Sequence, residues 1–251
     1  MANINPTLDL NETNVSTGSI RIVILGDGSV GKTCLMYAYV KNQFLHNYQP
    51  TTFDQNIVEV NINQHIYNII ITDIAGQHDY TNFREPAYSN ADVFILTYSS
   101  ISKDSFDNVK NYWIPEILDF EAKSAQLEST SSKNKTNNKN PIILVGTKVD
   151  LRENCQESTF IDFKTGEKLK NEIGAKCFIE CSSLTQENVK AIFDSSVLAY
   201  FQNNPELAGR SGLGPSVISE KPEDLAAGWN KLTQTEKKKS KCRPCAACNV
   251  M

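Results

Sequence analysis

Residues 20–33 read IRIVILGDGSVGKT, in which an apolar run leads into three glycines that surround one lysine. The spacing G-x-x-x-x-G-K-[ST] runs from Gly26 to Thr33. Glycines let backbone N–H groups wrap phosphate oxygens, and the following helix points its positive end at the anion. We expect Lys32 to reach the β- and γ-phosphates and the Thr33 hydroxyl to bind Mg²⁺. The stretch therefore predicts a strand, a phosphate-binding loop and a helix, against the alternative of a purely structural glycine turn.

Similar apolar, β-branched runs recur along the chain, with helical patterns between several of them. The runs cover residues 20–25, 57–62, 66–71, 93–98, 142–145 and 177–179. The helical patterns cover residues 32–40, 105–120, 166–173 and 188–201. Only the second run alternates apolar and polar residues, which suits an edge strand, whereas the others suit a sheet buried on both faces. We predict an α/β fold with a mostly parallel, six-stranded sheet, helices on both faces and ligands at the carboxyl ends of the strands.

The composition is that of a globular protein with unevenly placed charge. The 251 residues carry a net charge of −4, but residues 237–243 (KKKSKCR) hold five of the basic residues. Without those five, 20 basic residues face 29 acidic ones. Such an acidic body argues against a nucleic-acid-binding surface. We find no secretory signal and no apolar run of membrane-spanning length, and the seven cysteines are not expected to form a disulfide framework.

One globular domain is expected over residues 19–203, between two polar segments. Residues 1–18 are expected to be disordered, and residues 204–251, rich in Gly, Pro and charge, to form a flexible tail. Residues 122–140 (AKSAQLESTSSKNKTNNKN) are rich in Ser, Asn and Lys, which predicts a disordered surface insertion.

Two later segments favour guanine as the base of the nucleotide. TKVD (147–150) follows an apolar run, and Asp150 can accept two hydrogen bonds from guanine that adenine cannot offer. The Lys148 stem can lie against the base plane. CSS (181–183) follows another run, and a backbone N–H near Ser183 could meet the guanine carbonyl oxygen. Each tripeptide is a weak signal alone, but their order at strand ends makes the set specific.

The segments DIAGQ (73–77) and YQPTTFD (48–54) supply groups for the metal and the γ-phosphate. Asp73 suits a role beside Mg²⁺, the Gly76 N–H can bond the γ-phosphate, and Gln77 can orient the attacking water. Thr51 offers a hydroxyl and a carbonyl to the same groups. Phe44 could pack on the base, although a phenylalanine is more often part of a core. Loops held through the γ-phosphate would loosen after hydrolysis, as in a switch.

With these motifs in place, the sequence resembles a Rho/Rac-family small GTPase over residues 19–202 and the last four residues. The stretches that carry the resemblance are GDGSVGKTCLM, YQPTTFD, AGQHDY, SFDNV…YWIPEI, GTKVDLR and ECSSLTQENVKAIFD. The resemblance implies a monomeric P-loop small G domain that cycles between GTP and GDP with Mg²⁺ and controls actin and cell shape. It also implies exchange factors, GTPase-activating proteins that stimulate slow intrinsic hydrolysis, a dissociation inhibitor and downstream effectors.

The resemblance also implies roles for individual residues. The catalytic set is Gln77, Lys32 and Gly28, the last staying small so that Gln77 and an incoming arginine fit. The metal set is Thr33, Thr51 and Asp73. The nucleotide-binding set comprises Gly26, Asp27, Gly28, Ser29, Val30, Gly31, Lys32, Thr33, Cys34, Phe44, Tyr48, Thr51, Asp73, Gly76, Thr147, Lys148, Asp150, Ser182 and Ser183. The effector-facing set is Tyr48, Thr51, Phe53 and Asp54.

Several positions depart from that family's pattern. His78 stands where the family usually has an acid, and Thr72 where close relatives carry an aromatic residue. Residues 152–166 are shorter than the family's helical insert. One alternative function is a GTP-loaded adaptor that scaffolds partners without hydrolysis, and His78 gives it room. Another is a P-loop kinase, which Asp150 disfavours because such a kinase would prefer ATP.

The C-terminal residues CNVM (248–251) fit the C-a-a-X pattern and predict farnesylation of Cys248. A single lipid binds membranes only marginally, so the five basic residues of 237–243 would act as a second signal. Cys242 and Cys245 are candidates for palmitoylation, and a metal site is the alternative for the three cysteines. We expect the protein at the cytoplasmic face of the plasma membrane or of endomembranes.

Overall fold

The computed structural model describes residues 16–47, 51–76, 81–128, 139–155, 160–213 and 233–234. The strands are β1 (Ser16–Leu25), β2 (Phe53–Ile62), β3 (His65–Ile74), β4 (Val93–Ser99), β5 (Ile142–Thr147), β6 (Cys177–Glu180) and β7 (Thr233–Gln234). The α-helices are α1 (Lys32–Lys41), α2 (Thr81–Ser89), α3 (Lys103–Asn108), α4 (Ile114–Glu128), α5 (Phe163–Ile173), α6 (Val189–Asn203) and α7 (Pro205–Arg210). A π-helical segment, Val109–Trp113, joins α3 to α4, and a 3-10 helix covers Val149–Asn154.

The strands form one sheet in the order β6-β5-β4-β1-β3-β2-β7. Strand β1 pairs in parallel with β3 and β4, and the parallel pairing continues through β5 to β6. Strand β2 runs antiparallel to β3, and the two residues of β7 pair with the far end of β2. This confirms the predicted α/β fold with six main strands, mostly parallel. In such a sheet the loops after the parallel strands meet at one edge, as ligand binding requires.

The core lies on both faces of the sheet. In β1, the side chains of Ile20, Ile22 and Ile24 join one buried layer, and those of Val23 and Leu25 join the other. This alternation follows from the two-residue period of a strand. The first layer is completed by α1 and α6, and the second by α2, α4 and α5. The nearly continuous apolar runs of the central strands therefore have the cause we predicted, since both faces are covered by helices.

The helix predicted over residues 105–120 is longer at both ends. It starts with α3 at Lys103 and, through the π-helical segment, continues as α4 to Glu128. Residues 122–128 were expected in a disordered insertion, and this part of the prediction is wrong. AKSAQLE consists mainly of strong helix formers, and extending an existing helix requires no new nucleation. Residues 129–138 lie outside the described part of the chain.

The domain also extends past the boundaries expected at residues 18 and 203. Strand β1 begins at Ser16, and α7 follows α6 almost directly. Ala208 and Leu213 are buried, and the Asn63 side chain donates to the Ser211 carbonyl at 3.4 Å and to the Gly212 carbonyl at 3.1 Å. Residues 205–213 are thus part of the folded domain and not of the expected flexible tail, because their apolar groups complete one core layer. The rest of the tail lies outside the described residues, except for β7.

Helix α2 had no counterpart among the predicted helices. Its sequence, TNFREPAYS, carries Pro86 inside the helix, where proline is disfavoured. None of the described helices combines the length and the apolar character of a membrane-spanning segment.

Candidate functional site

The glycine loop, residues 26–31, leaves the carboxyl end of β1 and leads directly into α1. Gly26 and Gly31 have φ angles of 135° and 106°, which favour glycine. A Cβ on Gly26 would lie 2.2 Å from the Thr97 carbonyl oxygen, so the loop also approaches β4 too closely for a side chain. No side chain in the described part of the protein caps α1, whose first-turn N–H groups can therefore serve an anion.

Lys32 folds back over this loop. Its ammonium donates hydrogen bonds to the carbonyl oxygens of Gly26 at 2.9 Å and Asp27 at 2.7 Å. The side chain is buried, and this burial lowers the pKa of Lys32 to about 8, partly offset by the carboxylates of Asp73 and Asp27. The two carbonyl oxygens carry no formal charge, so a bound anion would stabilise the buried ammonium further. The loop therefore fits a phosphate group.

Three oxygen-bearing side chains meet beside Lys32. Thr33 Oγ1 donates to Asp73 Oδ2 at 2.5 Å and lies 3.0 Å from Thr51 Oγ1. Asp73 is fully buried, and its Oδ1 has no hydrogen-bond partner within the described regions. Burial raises the pKa of Asp73, against the hydrogen bond from Thr33 and the charge of Lys32. A buried, unpartnered carboxylate oxygen among hydroxyls fits Mg²⁺, which prefers oxygen ligands and would neutralise charge on bound phosphates.

The turn after β3 closes against the glycine loop. A Cβ on Gly76 would lie 2.3 Å from both the Asp27 carbonyl carbon and the Gly26 oxygen, so only glycine fits there. Ala75 N–H donates to the Thr52 carbonyl at 3.1 Å, which joins this turn to the start of β2. Tyr48, Gln77 and His78 lie outside the described residues.

The guanine segment, residues 147–150, is tied to the glycine loop from the other side. Thr147 Oγ1 donates to the Val30 carbonyl at 2.5 Å, and Lys148 Nζ donates to the Ser29 carbonyl at 2.6 Å. The φ of 60° at Lys148 turns the chain sharply after β5, and Asp150 follows at intermediate exposure. Two segments more than 110 residues apart thus form one continuous surface.

The CSS segment lies next to the guanine segment. Val149 N–H donates to the Cys181 carbonyl at 3.3 Å, and Ser182 and Ser183 are both buried. The Ser182 hydroxyl accepts from Thr185 N–H at 3.1 Å, which holds the turn after β6. The structure thus brings both guanine motifs to the carboxyl edge of neighbouring strands, as predicted.

The family comparison agrees with this arrangement. The model of the Ras family matches residues 21–202, most of the chain. The chain belongs to the Ras family. It is therefore a small GTPase, a switch that binds GTP and GDP with Mg²⁺ and hydrolyses GTP. Exchange factors, GTPase-activating proteins and effectors are the general partners of such GTPases.

The structure also describes other predicted positions of this Ras-family protein. Phe44 is half-buried, contacts His46 edge-on at 5.2 Å between ring centroids, and belongs to neither core layer. Cys34 is half-buried in α1, and burial raises the pKa of its thiol. Among the described residues a Cβ on Gly28 would meet nothing within 4 Å, so any need for glycine there comes from another group. Phe53 and Asp54 are exposed at the start of β2.

Sequence reasoning missed several residues that support the site of this GTPase. Thr97 Oγ1 donates to the Leu25 carbonyl at 2.7 Å just before the glycine loop. Arg84 of α2 is fully buried and forms an ion pair with Glu116 of α4 at 2.7 Å. Asn108 and Trp113 bond the Asp27 side chain. The two partners of Asp27 lie more than 80 residues away along the chain, so no local sequence pattern identifies them.

Proposed function

We propose that this GTPase is a Rho/Rac-like switch that is anchored to membranes and controls the actin cytoskeleton and cell shape. The stretches YQPTTFD, AGQHDY and ECSSLTQ support this branch of the small GTPases. Thr147 supports it as well, because it stands at the head of the guanine segment, where Ras and Rab relatives usually carry Asn.

The observation that carries the nucleotide assignment is the pair of hydrogen bonds from Thr147 and Lys148 to the glycine loop. They place a phosphate-binding backbone beside a segment suited to guanine, so one guanosine triphosphate would span both. Asp150 accepts the guanine N–H groups in this proposal. Ser183 supplies a backbone donor to the guanine carbonyl oxygen, and Phe44 packs on the base.

The same proposal assigns hydrolysis to residues around Lys32. Thr33, Thr51 and Asp73 hold the metal, Lys32 stabilises negative charge that develops on the phosphates, and Gln77 orients the attacking water. A small GTPase lacks part of this charge stabilisation until a GTPase-activating protein adds an arginine, which supplies about 10³–10⁵ in rate. The open space around Gly28 is consistent with such an added group.

Two surfaces of the chain would face its partners. Phe53 and Ile57 are each 56% exposed in the first half of β2, outside the residues that pair with β7, and lie next to the exposed Asp54. Exposed apolar side chains of this kind favour contact with another protein. At the other end of the chain, Cys248 and the basic residues of 237–243 would attach the protein to the cytoplasmic face of a membrane.

Competition between GTP and ATP for the nucleotide-free protein tests the assignment. We expect the wild type with Mg²⁺ to prefer GTP by about 10⁴-fold, since a bound adenine would cover the Asp150 carboxylate and leave it unpaired. Asp150→Ala should lose most of that preference, whereas Asp104→Ala, which removes an exposed carboxylate in α3, should keep it. A wild type that favours ATP, or binds neither nucleotide, would contradict the proposal.

A further inference from the structure

The Asp27 side chain is bonded at both oxygens by one helical region. Trp113 Nε1 donates to Asp27 Oδ1 at 2.7 Å, and Asn108 Nδ2 donates to Oδ2 at 2.7 Å. Trp113 is fully buried, so its indole N–H has no access to water. Hydrogen bonds to a carboxylate are among the stronger ones in proteins, and a buried donor that loses its acceptor is destabilising.

The π-helical segment is what allows both donors to reach one carboxylate. Asn108 and Trp113 are five residues apart, and in an α-helix they would point about 140° away from each other. Here the Ile114 N–H donates to the Val109 carbonyl, an i→i+5 bond that widens the turn. The wider turn reduces the angle between the two side chains. Such π-helical turns are often found at functional sites.

Asp27 is also the residue whose backbone shapes the phosphate end of the site. Its carbonyl oxygen accepts from Lys32 Nζ at 2.7 Å, and its carbonyl carbon lies where a Cβ on Gly76 would come within 2.3 Å. The Arg84 guanidinium lies over the indole ring of Trp113, 5.0 Å from its centroid. Arg84 belongs to α2, so Trp113 touches both the glycine loop and the helix that follows the Gly76 turn.

We propose that Asn108 and Trp113 are positioning residues, which hold the glycine loop through Asp27 and so slow the release of bound guanine nucleotide. A loop already held in its binding conformation loses less conformational freedom when the phosphates bind. The proposal rests on the nucleotide site of the Ras family and not on the Rho/Rac assignment. The alternative is that Trp113 and Asn108 serve only the packing of the helix.

A double-mutant cycle on the rate of GDP dissociation separates these two roles. Trp113→Phe keeps an aromatic ring but removes the N–H, and Asp27→Ala removes the acceptor. We expect Trp113→Phe, which removes one hydrogen bond, to speed GDP release by about tenfold, and Asp27→Ala, which removes both, to speed it by at least as much. The double variant should release GDP no faster than Asp27→Ala alone, because the indole acts through that carboxylate. If the increase in the GDP release rate in the double variant equals the product of the two single increases, the two residues act independently and the proposal is wrong.

Ser102→Ala provides the matched control for a purely structural effect. Ser102 Oγ accepts from Ser105 N–H at 3.3 Å at the start of α3, so its loss weakens the same helix without touching Asp27. This variant should lower the unfolding midpoint but leave GDP release unchanged. If Ser102→Ala speeds release as much as Trp113→Phe, helix stability alone explains the effect and the proposal is wrong.

Asn108→Ala, combined with Asp27→Ala in the same way, repeats the cycle should Trp113→Phe fail to fold. Asn108 is only half-buried, so this change leaves the core intact. The two hypotheses fail differently in this experiment. A wild type that takes up no guanine nucleotide would refute the site itself. If the wild type binds GDP but the single effects multiply in the double variants, only the positioning role is refuted.

Discussion

At the scale of single residues, the site contains buried charged groups that the described part of the protein neutralises or hydrogen-bonds only in part. The Lys32 ammonium contacts two carbonyl oxygens, and Asp73 keeps one buried oxygen without a partner in the described chain. Neither arrangement is favourable by itself, because burial penalises the charged form of each group. Both become favourable when phosphate and a divalent cation are added. The residues of the site are thus arranged for the bound state.

The lowered pKa of Lys32 predicts how the nucleotide-free protein responds to pH. The pKa falls from 10.5 to about 8 on folding, so between these values the unfolded chain binds more protons. The free energy of unfolding should therefore rise with pH across this window, by up to the order of 3 kcal/mol from this group. Urea unfolding of the wild type and of Lys32→Met at pH 7.5 and pH 10 measures it.

We expect Lys32→Met to be the more stable of the two at the lower pH, with an advantage that shrinks towards pH 10. The wild type saturated with GDP and Mg²⁺ serves as the control. Bound phosphate favours the charged form of Lys32, so the rise of the free energy of unfolding with pH should disappear. If Lys32→Met is more stable than the wild type by the same free energy at both pH values, folding does not lower the pKa of Lys32.

At the scale of elements, α2 is joined to α4 by a buried ion-pair network. Arg84 donates from Nε and Nη2 to the two carboxylate oxygens of Glu116, at 2.7 Å each, and from Nη2 to the Tyr112 hydroxyl. Burial opposes ionisation of Glu116, but hydrogen bonds from Arg84 and Tyr88 lower its pKa overall. Arg84 also reaches the Ala75 carbonyl at 3.4 Å. The network therefore fixes α2 relative to the turn that carries Gly76.

Arg84→Met should destabilise the protein by about 3–5 kcal/mol, because it leaves the Glu116 carboxylate buried without its counter-ion. The double variant Arg84→Met with Glu116→Leu should recover part of this loss, since no unpaired charge remains. Chemical denaturation of both variants measures the effect. Lys103→Met, which breaks the exposed pair with Asp107, should change the free energy of unfolding by less than about 1 kcal/mol. Equal losses from both pairs would contradict the buried role of Arg84.

At the scale of the whole molecule, the nucleotide site and the start of the tail lie at opposite ends of the strands. The glycine loop follows the carboxyl end of β1, whereas the β2–β3 turn lies beside the start of β1, where Ser16 pairs with Ile66. Residues 211–212 bond Asn63 in that turn, and β7 pairs with the neighbouring end of β2. The described start of the tail is thus held away from the nucleotide site.

Cys248→Ser should release the protein from membranes into the soluble fraction, because it removes the only proposed prenylation site. The basic residues of 237–243 alone then hold the chain too weakly for stable anchoring. Fractionation of cells that express the wild type and the variant measures this. Cys155→Ser, a cysteine of the folded domain, is the matched control and should fractionate like the wild type. Unchanged membrane association of Cys248→Ser would refute the anchor.

The sequence by itself determined the α/β sheet and the strand-end motifs, because strand periodicity, glycine spacing and the order of motifs are local properties of the chain. Only the tertiary structure decided which distant residues support them. The bonds of Asp27 to Trp113, of Thr147 to Val30 and of Arg84 to Glu116 join residues 32 to 117 positions apart. Such pairs produce no periodic sequence pattern. An acid, a hydroxyl or an arginine at these positions is equally compatible with a solvent-exposed side chain. Packing against the finished domain likewise decided that residues 205–213 fold with it.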